Sequence, residues 1–410
     1  MFTKSFIGLL LVAVISSAGS AADWPEFMGP NRNHISEETQ WTAKWSGDPK
    51  ILWKADIGIG FSGISVVGNR AYTVGFSNKS ETIYCFDALT GHVNWKHAYA
   101  AQKIPLFHIG GPNAAPTVRD GKVYSLSKDG QLFCLNAKDG KVVWKTDLVP
   151  VMELEKMTRW GFSSAPWIDG DHILLHTNRA VAIDRNTGSM VWRSEKSPMP
   201  GYSSLALFTH NKKRYLSAMT GNSVVIFERD GGATVASYPF KIEYNLHCIT
   251  PMAVKESDGS TSIFIAASNK GGRCEKLRFD GKSLKRVYQN EVMRNFMNNS
   301  VLIDGYLYGV DGKHKKRTTK FVCMRYSDGK MMWEHKGLGC GSVISANGKL
   351  IILSEDGRLV TAEASPKGFA KISEAKILEG TCWTPPSLAN GLIYARNQEG
   401  QAVCVDLRGK

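Results

Sequence analysis

The sequence predicts an all-β protein, a single eight-bladed β-propeller of four-stranded antiparallel blades whose ring is closed by an N-terminal strand around Trp53. Three observations carry this. Trp53, Trp95, Trp144 and Trp192 are spaced by 42, 49 and 48 residues, and Trp333 follows 141 later, three intervals of 47. Asp-Gly occurs 11 times and Asn-Gly twice, and such pairs mark two-residue hairpins in which both central residues take positive φ. Finally, Lys50-Ile51-Leu52-Trp53-Lys54-Ala55-Asp56 is a tryptophan strand with no repeat in front of it. A period of this length points to one repetitive fold, where 410 residues alone would allow two or three domains.

Taken in order, the chain starts with Lys4, an apolar stretch from Phe6 to Ile15, and the small residues Ser20-Ala21-Ala22. That stretch is well short of the ~20 residues that cross a bilayer, and its small-x-small ending suits a cleaved export leader. The expected organisation is a leader over 1–22, an N-terminal arm over 23–49 and the propeller over 50–410. With the leader gone no transmembrane segment remains, and the expected location is periplasmic or secreted.

The clearest repeat is blade 2, with turns at Asp120-Gly121, Asp129-Gly130 and Asp139-Gly140 ahead of Trp144. Two degenerate units fill the gap before Trp333, ending near Tyr238 and Tyr288. A seventh runs from Cys340 to about Ile372. The eighth starts at Trp383-Thr384-Pro385 and ends at Val403-Cys404-Val405-Asp406-Leu407, one strand short. The orphan strand at Trp53 supplies the missing piece and leaves no open edge between first and last blades.

Eight cysteines in an exported chain would ordinarily suggest disulfides. Cys85, Cys134, Cys323 and Cys404, however, hold the same position in four repeats. Equivalent positions on separate modules do not approach within the ~7 Å that a disulfide needs, so these four are read as free, buried thiols. The repeat leaves Cys248, Cys274, Cys340 and Cys382 open.

The stretch Phe86-Asp87-Ala88-Leu89-Thr90-Gly91-His92-Val93-Asn94-Trp95, echoed around Trp144 and Trp192, resembles the tryptophan-docking repeat of quinoprotein-type propellers. The whole mature chain is similar to secreted bacterial proteins with pyrroloquinoline-quinone-like (PQQ-like) propeller repeats, a family related to the outer-membrane assembly lipoprotein. The opening Asp23-Trp24-Pro25-Glu26-Phe27-Met28-Gly29-Pro30-Asn31-Arg32 is similar to the start of many such proteins from planctomycete-type bacteria. For the catalytic branch the resemblance implies an adjacent cysteine pair against the quinone, a calcium ion held by an acid and an amide, and an aspartate base. No two cysteines here are consecutive, and no acid is placed at the funnel mouth by the repeat.

Blade connectors are longer than the hairpin turns on the other face, so function is expected on the connector face. Residues just ahead of the innermost strands approach the axis: Ser62, Gly63, Asn113, Ser163, Ser164, Ser203, Ser204, His247, Asn298, Asn299, Gly341 and Trp383. The connectors add His108, Arg159, Trp160, Tyr202 and Arg294. The ligand-binding candidates are His108, Asn113, Arg159, Trp160, Ser163, Tyr202, His247, Arg294, Asn298, Asn299 and Trp383. They would form a polar funnel for a small anionic or sugar-like ligand; the competing reading is that small residues simply fit where eight strands crowd an axis.

Glu153, Glu155 and Glu243 read as solvated connector carboxylates. The sequence lacks the spacing of a haem, zinc or P-loop motif, and no catalytic or metal-binding residue is assigned. The net charge of +14 is split between Lys313–Lys320, expected on the connector face, and Lys212-Lys213-Arg214, expected opposite. That split and export argue against nucleic acid and favour solvated hairpins, with an anionic envelope surface second. The expectation is a monomeric, non-catalytic exported scaffold for a protein or anionic cell-envelope ligand, with no cofactor. The alternative is a dehydrogenase of a sugar or alcohol that uses PQQ and calcium.

Overall fold

Each tryptophan that marks the repeat ends a blade and docks on the next. The indole of Trp53 lies over Gly91, where a Cβ would come within 2.6 Å of its ring, and its Nε1 donates to the Ala88 carbonyl at 2.9 Å. Trp95 repeats this on Gly140 and the Ala137 carbonyl, and Trp144 on Gly188 and the Arg185 carbonyl. In the degenerate fifth blade Tyr288 takes the tryptophan's place, packing on Gly329 and donating to the Tyr326 carbonyl at 3.1 Å. The pattern therefore encodes a blade-to-blade contact in which glycine clears the space for the indole; at Trp53, Trp95 and Trp144 a carbonyl also accepts the buried N–H, whereas Trp192 packs on Gly232 without such an acceptor among the described residues.

The computed structural model describes residues 22–409 apart from 106–107, 156–157 and 315–317. The expected leader up to Ala21 and the basic triplet Lys315-Lys316-Arg317 lie outside the described residues. Those described form eight antiparallel sheets, blades 1 to 8, spanning 65–100, 117–147, 167–193, 206–239, 252–290, 301–336, 342–376 and 387–406. Lys50–Asp56 pairs antiparallel with Gln401–Asp406, Lys50 opposite Asp406 and Asp56 opposite Gln401, and so supplies blade 8's outer strand. A register shift precedes the tryptophan in this strand and in the outer strands of blades 1, 2, 3 and 6. One extra residue there turns the indole toward the next blade.

The Asp-Gly expectation needs one refinement. Asp120-Gly121, Asp304-Gly305, Asn347-Gly348 and Asn390-Gly391 take positive φ at both residues, whereas at Asp129-Gly130, Asp139-Gly140 and Asp356-Gly357 only the glycine does. In these the loop is longer than two residues. At Asp139 the carboxylate instead accepts the Lys141 amide at 3.1 Å, a side-chain turn that needs no positive φ at the aspartate.

All eight cysteines are free, seven of them buried and Cys248 partly so. Eight thiols are therefore expected to titrate in denaturant without reductant, and a smaller number would contradict the structure.

Before the first blade, the chain crosses the centre of the ring. Trp24 exchanges two backbone bonds with Val66 of blade 1, Pro25 accepts from Val118 of blade 2, and the Arg32 guanidinium lies 4.4 Å over the Trp167 ring of blade 3. Ile35–Ser36 then pairs parallel with the innermost strand of blade 7. Glu26 is buried and held by Arg32 at 2.6 Å and Arg119 at 3.3 Å. These contacts follow the innermost strands, so the arm closes one end of the axial channel.

Candidate functional site

Closing one end leaves a blind cavity of about 140 Å3 open toward the connectors. Its lining comes from seven of the eight connectors: Trp383 entering blade 8, Phe61 entering blade 1, then His108 and Asn113, Trp160 and Ser163, Tyr202, Leu246 and Cys248, and Met297 and Asn298. Phe27 of the arm lines it as well. Two aromatic groups face into it. Trp383 stacks on Phe61 at 5.7 Å with His108 edge-on to Phe61 at 5.2 Å, and Trp160 meets Tyr202 edge-on at 5.4 Å.

Trp383 is held in place by Glu355, which sits between the second and third strands of blade 7. That carboxylate accepts the indole N–H at 3.0 Å, the Cys340 amide at 3.0 Å, and a hydrogen bond from His314. An acid lies behind the wall, then, with its lone pairs directed to the wall's own donors.

Among the described residues the lining contains no Asp, Glu, Lys or Arg. Its titratable members are neutral near pH 7. Burial, assisted by Lys128, lowers His108 to about 4; burial raises Tyr202 and Cys248 to about 12. An uncharged, aromatic cavity of this kind favours apolar or aromatic groups over anions.

The structure divides the sequence candidates. His108, Asn113, Trp160, Ser163, Tyr202, Asn298 and Trp383 line the cavity. Arg159 is exposed beside it, its guanidinium 5.1 Å over the Trp160 ring. His247 is buried against Phe240, with the neighbouring Leu246 and Cys248 lining the cavity instead. Asn299 is buried and exchanges two hydrogen bonds with the Thr250 backbone. Arg294 makes a two-pronged pair with Asp311 at 2.8 and 3.0 Å and also bonds Glu291.

Even the polar residues that line the cavity direct much of their bonding sideways. Asn113 donates to the Trp160 and Phe162 carbonyls, Asn298 to the Gly341 and Trp383 carbonyls, and Ser163 to the Tyr202 carbonyl. A parallel ring of hydroxyls stitches the innermost strands: Ser65 to Pro116, Thr117 to Pro166 and Ser387 to Ile64. The expected polar funnel is thus an aromatic cavity whose amides and hydroxyls join neighbouring blades. Phe61, Leu246 and Met297 were missed although each adjoins or lies near a residue already singled out. For Phe27 the sequence held no signal, because its place depends on the arm crossing the ring.

The Asp184, Asp87 and Asp280 carboxylates, by contrast, sit in exposed outer turns, where bonds from Thr187, Thr90 and Ser283 hold them below the usual range. They are turn-forming groups, distant from the cavity lining. Among the described residues no three His, Cys, Asp or Glu side chains group as metal ligands.

Proteins similar to this chain include quinone-dependent alcohol dehydrogenases and outer membrane protein assembly factors. The dehydrogenase subunit of a quinone alcohol dehydrogenase from Komagataeibacter europaeus is 30% identical over 129 residues, 28% of this chain and 17% of that protein. Outer membrane protein assembly factor BamB from Moranella endobia is 26% identical over 145 residues, 35% of this chain and 33% of that protein. The chain thus matches a third or less of these relatives' length. Among solved structures, the quinohemoprotein alcohol dehydrogenase from Comamonas testosteroni superimposes with a TM-score of 0.71 at 15% identity, covering 95% of this chain and 81% of that one. BamB from Moraxella catarrhalis gives 0.61 at 14% identity, covering 89% and 99%. Likeness at that identity establishes the fold. The family described as outer membrane protein assembly factor BamB matches residues 36–237 and 79–335, well over half of the sequence, and with its eight docked blades the chain belongs to this family of PQQ-like propellers.

Proposed function

We propose that the protein is an exported, non-catalytic binding scaffold whose connector face and axial cavity receive a partner protein or a cell-envelope ligand. The observation that supports this is the cavity itself: aromatic, blind, lined from seven connectors and, among the described residues, without a charged side chain. Such a site holds an apolar or aromatic group and offers no general acid or base that is charged near neutrality. The anionic ligand anticipated from the sequence finds no cation among the described residues of the lining, so an envelope ligand would enter by an uncharged part.

The second reading, a quinone-dependent dehydrogenase, is favoured by the relatives named as quinone alcohol dehydrogenases. The residues present fit that cofactor poorly. A quinone bearing carboxylates needs cations, and calcium needs several oxygen ligands including carboxylates; the described residues of the lining supply neither a cation nor a carboxylate. The acid behind the wall, Glu355, is engaged by Trp383, His314 and the Cys340 amide.

Crosslinking and capture from the native envelope test the proposal, with a Phe61→Ala/Tyr202→Ala double variant as control. Removing two aromatic anchors is expected to weaken capture by about 30-fold or more. Equal capture by the variant, or stoichiometric quinone binding with dye reduction once calcium and the quinone are added, would refute it.

A further inference from the structure

Glu38 is fully buried at the end of the arm. Its carboxylate accepts from three backbone amides: Gln40 at 2.9 Å, Gly391 of blade 8 at 3.2 Å and Ala22 at 3.2 Å. No lysine, arginine or histidine side chain pairs with it among the described residues, whereas Glu26, the arm's other buried acid, has two arginines. A buried carboxylate bonded to neutral amides alone lacks the counter-charge such a group usually has.

The sequence permits two cleavage points. Cutting after Ala21 puts Gly19 and Ala21 at the small positions, and cutting after Ala22 puts Ser20 and Ala22 there. We propose that the leader is removed at the Ala21–Ala22 bond and that Glu38 is the receptor for the α-ammonium group this creates on Ala22. An endopeptidase adds one water across the bond. The C–N bond breaks, the water oxygen joins the Ala21 carbonyl as a carboxylate, and its two hydrogens go to the Ala22 nitrogen, which becomes an ammonium. The existing Ala22–Glu38 contact then becomes a charge-assisted pair.

The neighbours keep Ala22 in that position. Asp23 accepts the Gly68 amide at 2.8 Å, and Trp24 exchanges bonds with Val66 at 2.9 and 2.8 Å. Because Glu38 also accepts the Gly391 amide, the new terminus ties the arm to blade 8 at the same carboxylate. A cut after Ala22 would discard the contact and leave the acid without its cation.

The inference rests on the export reading. Its first test is the N-terminal sequence and intact mass of the protein recovered from the periplasm of an exporting host. The expected chain begins at Ala22. A chain beginning at Asp23 overturns the assigned bond while leaving export intact, and an uncut chain overturns both. The second test compares thermal unfolding of the processed protein with a form carrying one extra glycine before Ala22, each with Glu38 and with Glu38→Gln. The processed form is expected to melt about 5 °C above the extended one, and Glu38→Gln to abolish that difference. An equal drop in both forms would reduce Glu38 to a backbone cap and overturn the receptor role. Should the Glu38→Gln protein not fold, the glycine-extended protein with Glu38 intact decides alone, since equal melting of the two native-Glu38 forms would also overturn it.

Discussion

Replacing Trp53 by alanine is expected to destabilise the protein by about 3–5 kcal/mol, the range for removing a large buried aromatic. Trp53 is 7% exposed, stacks on Phe86 at 5.6 Å and touches Tyr394 at 6.1 Å. Its loss opens a void over Gly91 and strips the Ala88 carbonyl of one of its donors, Tyr394 being the other. What separates Trp53 from the other docking tryptophans is its strand, which pairs the start of the propeller with its last blade, beside the side-chain bonds of Ser387 and Tyr394 to the Ile64 and Ala88 carbonyls. Trp144→Ala is therefore the informative comparison: the same contact inside a continuous stretch of chain, with a less buried indole. Urea unfolding should show a lower midpoint for Trp53→Ala than for Trp144→Ala. A change below about 1 kcal/mol at Trp53 would mean that the ring is held closed elsewhere.

Mild acid is expected to unfold the protein. His34, His176 and His247 are each no more than 1% exposed. Burial lowers His34 to about 3, with Arg32 adding to the effect, and lowers His176 and His247 to about 4. A histidine whose folded value lies below its unfolded value stays neutral in both states at high pH. As pH falls below about 6.5 the unfolded chain takes up protons that the fold refuses, and stability drops until the folded values are reached. At pH 4.5 the three together cost roughly 8 kcal/mol. Glu81 works the other way. Burial raises it to about 7, so the folded chain gains a proton before the unfolded one does, which restores roughly 3 kcal/mol over the same interval. The net loss of about 5 kcal/mol is comparable with the whole stability of many proteins. Midpoints of urea unfolding should be level near pH 7 to 8 and fall steeply between pH 6.5 and 4.5. A flat profile through that window would show that these imidazoles are hydrated in the fold.

The blades were legible because their signal is local and repeated. Gly91 and Trp53, Gly140 and Trp95, Gly188 and Trp144, and Gly232 and Trp192 carry the same pair of requirements in four successive units, a cleared site and an indole to fill it. Even the degenerate blade ending at Tyr288 preserved the geometry with a phenol. Residues such as Trp160, Tyr202 and Trp383 could be placed near the axis because strand order fixes which loops reach it. What the side chains do there was less legible. Asn298 and Asn299 sit side by side, yet one spans to the Gly341 and Trp383 carbonyls and the other grips Thr250; that choice depends on neighbouring connectors far away in sequence. Phe27 shows the limit most clearly. A short segment pairing parallel with a strand more than 300 residues later has no periodicity of its own to reveal it.

The pairing of Lys50 with Asp406 carries a kinetic consequence. The strand that completes blade 8 is made more than 300 residues before its partner, so the contact that seals the ring spans all the other blades. Seven blades can assemble by neighbouring hairpins as the chain is synthesised. The closure step must wait for the final strand and carries the entropy of the longest loop. Until then Gln401–Asp406 and Lys50–Asp56 each present an unpaired edge, and the interval before they meet is when the chain is most open to capture by chaperones, proteases or a second unfinished copy.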